Sequence, residues 1–144
     1  MKNLNFLLIV LLFSNLSCSH AQTKSNSSTK GDKKAKLQVY YFHATNRCPT
    51  CLSIESNTQK VLDTYFKTEL EKGIIKYTIL NSDEDKNKTV CEKYQAFGSA
   101  LHFVKIANGK EIDTDMTNFA FQYSHNEPEK FIKGIKDKIT DLLK

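Results

Sequence analysis

Apolar residues fall along this chain in two rhythms, and the change from one to the other marks out its elements. Residues 37–42 (LQVYYF) are a nearly unbroken run of aliphatic and aromatic side chains, which predicts a strand buried on both faces. From Pro49 the spacing lengthens to three and four, through Ile54, Thr58, Val61, Leu62, Tyr65 and Phe66. This predicts a helix that runs to about Glu71 and stops at Gly73. Residues 74–80 (IIKYTIL) predict a second strand. The turn-like stretch 81–83 leads into a helix with Val90, Tyr94 and Phe97 on its apolar face, ended by Gly98. Residues 100–106 (ALHFVKI) predict a third strand, and Asn108-Gly109 a tight hairpin into a short fourth strand at 111–113, antiparallel to the third. The stretch 116–124 carries both rhythms: Phe119, Phe121 and Tyr123 alternate, while Phe119 and Tyr123 also lie one helical turn apart. A last helix starts near Pro128, capped by Asn126 or Glu127, with Phe131, Ile135, Ile139 and Leu142 as its core stripe.

The order is βαβαββα. A βαβ start implies a parallel pair joined by a right-handed crossover. The hairpin adds an antiparallel edge, and so apolar a sheet needs helices on both faces. The expected architecture is α/β, a mixed four-stranded sheet covered on both sides. The aromatic set Tyr40, Tyr41, Phe42, Phe119, Phe121 and Tyr123 is assigned to its core.

A third kind of apolar run lies ahead of these elements. Residues 6–13 (FLLIVLLF) follow a weakly positive start, and Ser19 and Ala21 supply small residues for cleavage before Gln22. The run is far short of the ~20 residues that span a bilayer, so 1–21 reads as a signal peptide rather than a transmembrane helix. Leu16-Ser17-Cys18 also resembles a lipobox, in which Cys18 would be lipidated and anchor the protein; Asn15 stands where that motif prefers Leu. Cleavage after Ala21 is the preferred reading. Residues 22–36 (QTKSNSSTKGDKKAK) hold no apolar residue larger than Ala35 and read as a disordered Lys/Ser-rich linker. The folded domain is then 37–144.

This placement changes the meaning of the charge. The 144 residues carry a formal +5, which by itself raises nucleic acid or an anionic membrane as partner. One Lys lies in the leader, and five Lys with one Asp lie in the linker; 15 basic and 15 acidic residues remain in 37–144. The domain is formally neutral, and no nucleic-acid partner is expected.

The chemistry concentrates at Cys48-Pro49-Thr50-Cys51, between the first strand and the first helix. Cys48 falls near the helix N-cap, where the helix dipole favours a thiolate, and Arg47 adds a positive charge beside it. Pro49 suits the first helical position, where its missing N–H costs no bond. Cys51 lies one turn in, placed to resolve a mixed disulfide on Cys48. His43 is five residues before Cys48 and could tune the thiolate or join both sulfurs on Cu(I) or Zn. Cys91 is read as a small buried thiol, and His102 and His125 as structural or solvated. The acidic 83–85 is assigned to the next helix N-terminus.

On this element order, and on a C-x-x-C set between strand and helix, residues 37–144 resemble the thioredoxin superfamily. The resemblance implies a thioredoxin-like fold, Cys48 as nucleophile and Cys51 as resolving thiol, with Thr50 tuning the pair. Three positions depart from the family pattern. Residues 43–47 (HATNR) replace a Trp-containing lead-in, Tyr41 lies near the place of a buried Asp, and Ser99 stands where the family has a cis-Pro. A cis bond without Pro costs ~3 kcal/mol, so a trans peptide or a locally altered loop is expected there. Ser99 and Ala100 would then form the substrate loop.

With the signal peptide, the resemblance implies an exported, periplasmic thiol–disulfide oxidoreductase. It would act as a monomer on protein thiols and disulfides and on a redox partner protein, with the Cys pair itself in place of a cofactor or metal. Two other readings stay open: a Cu(I)- or Zn-binding module, and a redox-inert interaction domain with a structural disulfide.

Overall fold

The structure is a computed structural model that describes residues 35–144. The leader 1–21 with Cys18, and the linker as far as residue 34, lie outside the described residues. The chain forms β1 (Leu37–His43), α1 (Pro49–Tyr65), α2 (Lys67–Glu71), β2 (Ile75–Asn81), a 3-10 turn (Asp85–Asn87), α3 (Lys88–Lys93), β3 (Ala100–Ala107), β4 (Lys110–Asp115), α4 (Thr117–Tyr123) and α5 (Pro128–Leu142).

The sheet order is β2-β1-β3-β4. β1 runs parallel to β2 and antiparallel to β3, and β4 runs antiparallel to β3. With β1 in the centre, its alternate side chains feed two cores. Leu37, Val39 and Tyr41 join Ile54, Val61 and Leu62 of α1 and Phe131, Ile135 and Ile139 of α5. Phe42 joins Cys91 of α3, Tyr94, Ala96, Ala100 and Val104 on the opposite face. The architecture is therefore α/β, a mixed four-stranded sheet with helices on both faces. It is consistent with the thioredoxin-like arrangement expected from the sequence.

Several expected elements change in detail. The first helix is broken at Phe66, whose φ of −131° leaves the helical region and whose side chain is buried against the α1 core. The stop at Gly73 holds: Gly73 takes a φ of +66°, and the bonds Gly73 N–H to Leu70 O and Ile74 N–H to Glu69 O close the turn. The second predicted helix ends earlier than Gly98. Gln95, with a φ of +53°, closes α3 with the same pair of bonds, Gln95 N–H to Glu92 O and Ala96 N–H to Cys91 O. Phe97 therefore leaves the apolar face and stands 75% exposed. Asn108 and Gly109 both take positive φ and form the expected hairpin. β4 is longer than its single apolar residue implied, because the ladder continues to His102 opposite Asp115. The ambiguous 116–124 is helical, which buries Ala120 and leaves Phe121 exposed rather than in the core. Glu127 caps α5, without a side-chain cap bond. Lys36, placed in the linker by the sequence, has its backbone bonded to Ile74 and Ile106 at the head of the sheet.

Candidate functional site

The site sits at the C-terminal end of β1, where the strand hands over to α1. The connecting loop is pinned rather than free. The His43 carbonyl accepts from the Ser82 N–H at 2.8 Å and the Ser82 hydroxyl at 3.1 Å. The Thr45 N–H donates to the Asp83 carboxylate at 2.8 Å, and the Asn81 amide to the Thr45 hydroxyl at 3.1 Å. Asp83 thus holds the site loop instead of a helix N-terminus, and the Thr45 N–H keeps its carboxyl below the usual range.

Cys48 and Cys51 are joined as a disulfide, with Cα atoms 5.1 Å apart. Cys48 is the N-cap of α1, and its sulfur accepts the Cys51 N–H at 3.2 Å. Cys48 is exposed, whereas Cys51 is only 6% exposed. Pro49 fills the first helical position, and Thr50 behind it is half-buried. One sulfur therefore faces solvent at the positive end of a 17-residue helix, and the other is shielded one turn in.

Arg47 does not stand as an unpaired charge beside Cys48. Its guanidinium donates to Glu55 at 2.6 Å and lies over the Tyr41 ring, 5.7 Å from the centroid. Glu55 is the partner the sequence reading missed; an ion pair eight residues apart across a helix start leaves no periodic trace. Tyr41 is fully buried, and its hydroxyl donates to the Cys51 carbonyl at 2.7 Å. Burial pushes this phenol up, against the pull of Arg47 and Ser99. A buried aromatic thus bonds to the backbone of the shielded cysteine.

On the other side, the Ser99 hydroxyl donates to Cys51 Sγ at 3.3 Å. Ser99 precedes β3, and its neighbour Ala100 is buried opposite Phe42 in the ladder. The described residues contain no cis peptide bond, matching the trans bond expected at this loop. The loop 95–99 also lines a polar cleft of about 280 Å³ with His102, Asp115 and Thr117. His102, read as structural or solvated, is 4% exposed, with its Nδ1 3.0 Å from Asp113 Oδ2.

The other candidate histidines pair elsewhere. The His43 Nδ1 faces the Ala44 carbonyl at 2.9 Å, and His125 is exposed against Ser53. Among the described residues no group of three or more His, Cys, Asp or Glu is arranged to hold a metal ion. Cys91 is a free buried thiol, pushed up by burial. No helix among the described residues is long and apolar enough to cross a membrane.

No protein-family model and no curated protein matches the chain. Among solved structures it is similar to one described as "Structure of a malarial protein". That likeness has 18% identity over 63% of this chain and 98% of the other, with a TM-score of 0.39. At that level it bears on neither family nor function.

Proposed function

We propose that this chain is an exported thiol–disulfide oxidoreductase of the thioredoxin superfamily, acting in the periplasm on protein thiols and disulfides through Cys48 and Cys51. The observation that carries the reading is the asymmetry of the pair. An exposed sulfur caps a long helix, and a shielded one lies a turn behind it. In the oxidising direction a partner thiolate attacks Cys48 Sγ. The Cys48–Cys51 bond breaks, and its electron pair passes to Cys51 Sγ, which takes up a proton. A second partner thiolate attacks the partner sulfur of the mixed disulfide. The partner leaves oxidised and Cys48 leaves as a thiolate held by the Cys51 N–H and the helix end. Reduction of a partner is the same sequence reversed. The helix end stabilises the reduced form and tilts the balance toward oxidation. The apolar 6–13 run supports export; lipid attachment at Cys18 is the other outcome that mass spectrometry of the mature N-terminus would reveal.

The test is the reduction of insulin by dithiothreitol, with and without the purified protein. The wild type is expected to accelerate it, Cys48→Ser to remove the acceleration, and Cys51→Ser to accumulate mixed disulfides. A wild type no faster than Cys48→Ser overturns the reading.

A further inference from the structure

We propose that Ser99 is the hydrogen-bond donor that stabilises Cys51 Sγ as a leaving and attacking sulfur. The inference rests on the exchange reading above and deepens it. Opening the disulfide at Cys48 delivers an electron pair to Cys51, which is 6% exposed. A thiolate formed there has lost most of its water, so it needs a donor from the protein.

Two of the neighbouring donors are committed elsewhere. The Cys51 N–H is directed at Cys48 Sγ at 3.2 Å. The Tyr41 hydroxyl donates to the Cys51 carbonyl at 2.7 Å. Arg47 is engaged by Glu55 through one terminal guanidinium nitrogen, while its Nε is buried without a hydrogen-bond partner. The Ser99 hydroxyl, 3.3 Å from Cys51 Sγ, is already directed at the sulfur itself. Its position is fixed by the sheet: Ala100 pairs with Phe42, and the Leu101 N–H is held by the Thr117 hydroxyl at 3.1 Å.

The electron balance is that of exchange alone. When a thiolate bonds to Cys48 Sγ, the Cys48–Cys51 bond breaks and Cys51 Sγ gains the pair. Ser99 donates a hydrogen bond to it without giving up its proton, and solvent supplies the proton that later makes the thiol. In reverse, the same bond holds the Cys51 thiolate toward Cys48. Because the hydroxyl is uncharged, its help does not itself titrate near neutral pH.

The experiment titrates the Cys51 thiolate by its absorbance at 240 nm in Cys48→Ala proteins carrying Ser, Ala or Thr at position 99. Cys91 is common to all three and cancels in the comparison. A hydrogen bond to a charged group supports a change of about tenfold or more in the acid constant. Ser99→Ala should raise the Cys51 midpoint by that factor, and Ser99→Thr should restore it. With both cysteines present, Ser99→Ala should slow reduction of the disulfide by dithiothreitol about tenfold, and Ser99→Thr should recover the rate. A Cys51 midpoint unmoved by Ser99→Ala overturns the proposal. The titration needs no exchange partner, so it separates from the insulin assay, whose failure overturns the oxidoreductase reading instead.

Discussion

Thr58 sits fully buried on α1, and its hydroxyl has no hydrogen-bond partner. A hydroxyl stripped of water and left unpaired costs about 1–3 kcal/mol. Thr58→Val keeps the branched shape and removes the cost. It should raise stability by about 1 kcal/mol, read as a higher urea midpoint at unchanged slope; a lower midpoint would show a partner for that hydroxyl. Much at this scale was legible in the sequence, because it depends on neighbours in the chain. Cys48 at the helix start, Pro49 at its first position and Cys51 one turn in follow from spacing alone. Contacts made through space were not legible. Arg47 reads as a charge beside a thiol until Glu55 takes it up. Ser99 reads as a substrate-loop residue, and its bond to the Cys51 sulfur, 48 positions away, appears only in the fold.

At the scale of elements, α5 shows how packing overrides propensity. Replacing a helix-interior Gly by Ala ordinarily gains about 1 kcal/mol. A Cβ on Gly134, however, would overlap the Phe119 ring, which lies tilted against Tyr123 and stacked on Phe131. Overpacking of that kind costs about 1–3 kcal/mol. Gly134→Ala should therefore destabilise the protein by about 1 kcal/mol in urea unfolding, and a stabilised variant would show that the Phe119 ring moves freely aside. The elements that sequence periodicity recovered are those with a dense apolar code: β1, β3, and the stripe of α5. Those it misjudged have a sparse one. Phe97 fits the α3 spacing, yet Gln95 ends the helix two residues earlier and turns Phe97 out. In 116–124 three aromatics alternate while two of them, Phe119 and Tyr123, also fit a helical turn, and the structure takes the helix with Ala120 buried.

For the whole molecule, the neutral domain and its tyrosines make a statement about pH. Tyr40, Tyr41, Tyr77 and Tyr94 are all raised, chiefly by burial, with Tyr94 pushed up to about 12 from 10.0. The folded state prefers the neutral phenols. Their contribution is therefore complete below about pH 10, where the unfolded chain titrates, and is lost as pH rises through the folded values. Urea midpoints should fall between about pH 10 and 12, with late phenolate absorbance at 295 nm accompanying unfolding. Stability that stays level to pH 12 would contradict it. The same molecule brings one exposed sulfur, one shielded sulfur and a hydroxyl together at the end of its central strand, and the central claim is that this pair exchanges. The reduction potential of the Cys48–Cys51 disulfide against glutathione tests that claim most directly. A potential above about −300 mV, within the reach of exchange partners, is predicted; a value below that range is characteristic of a structural disulfide and would contradict the account.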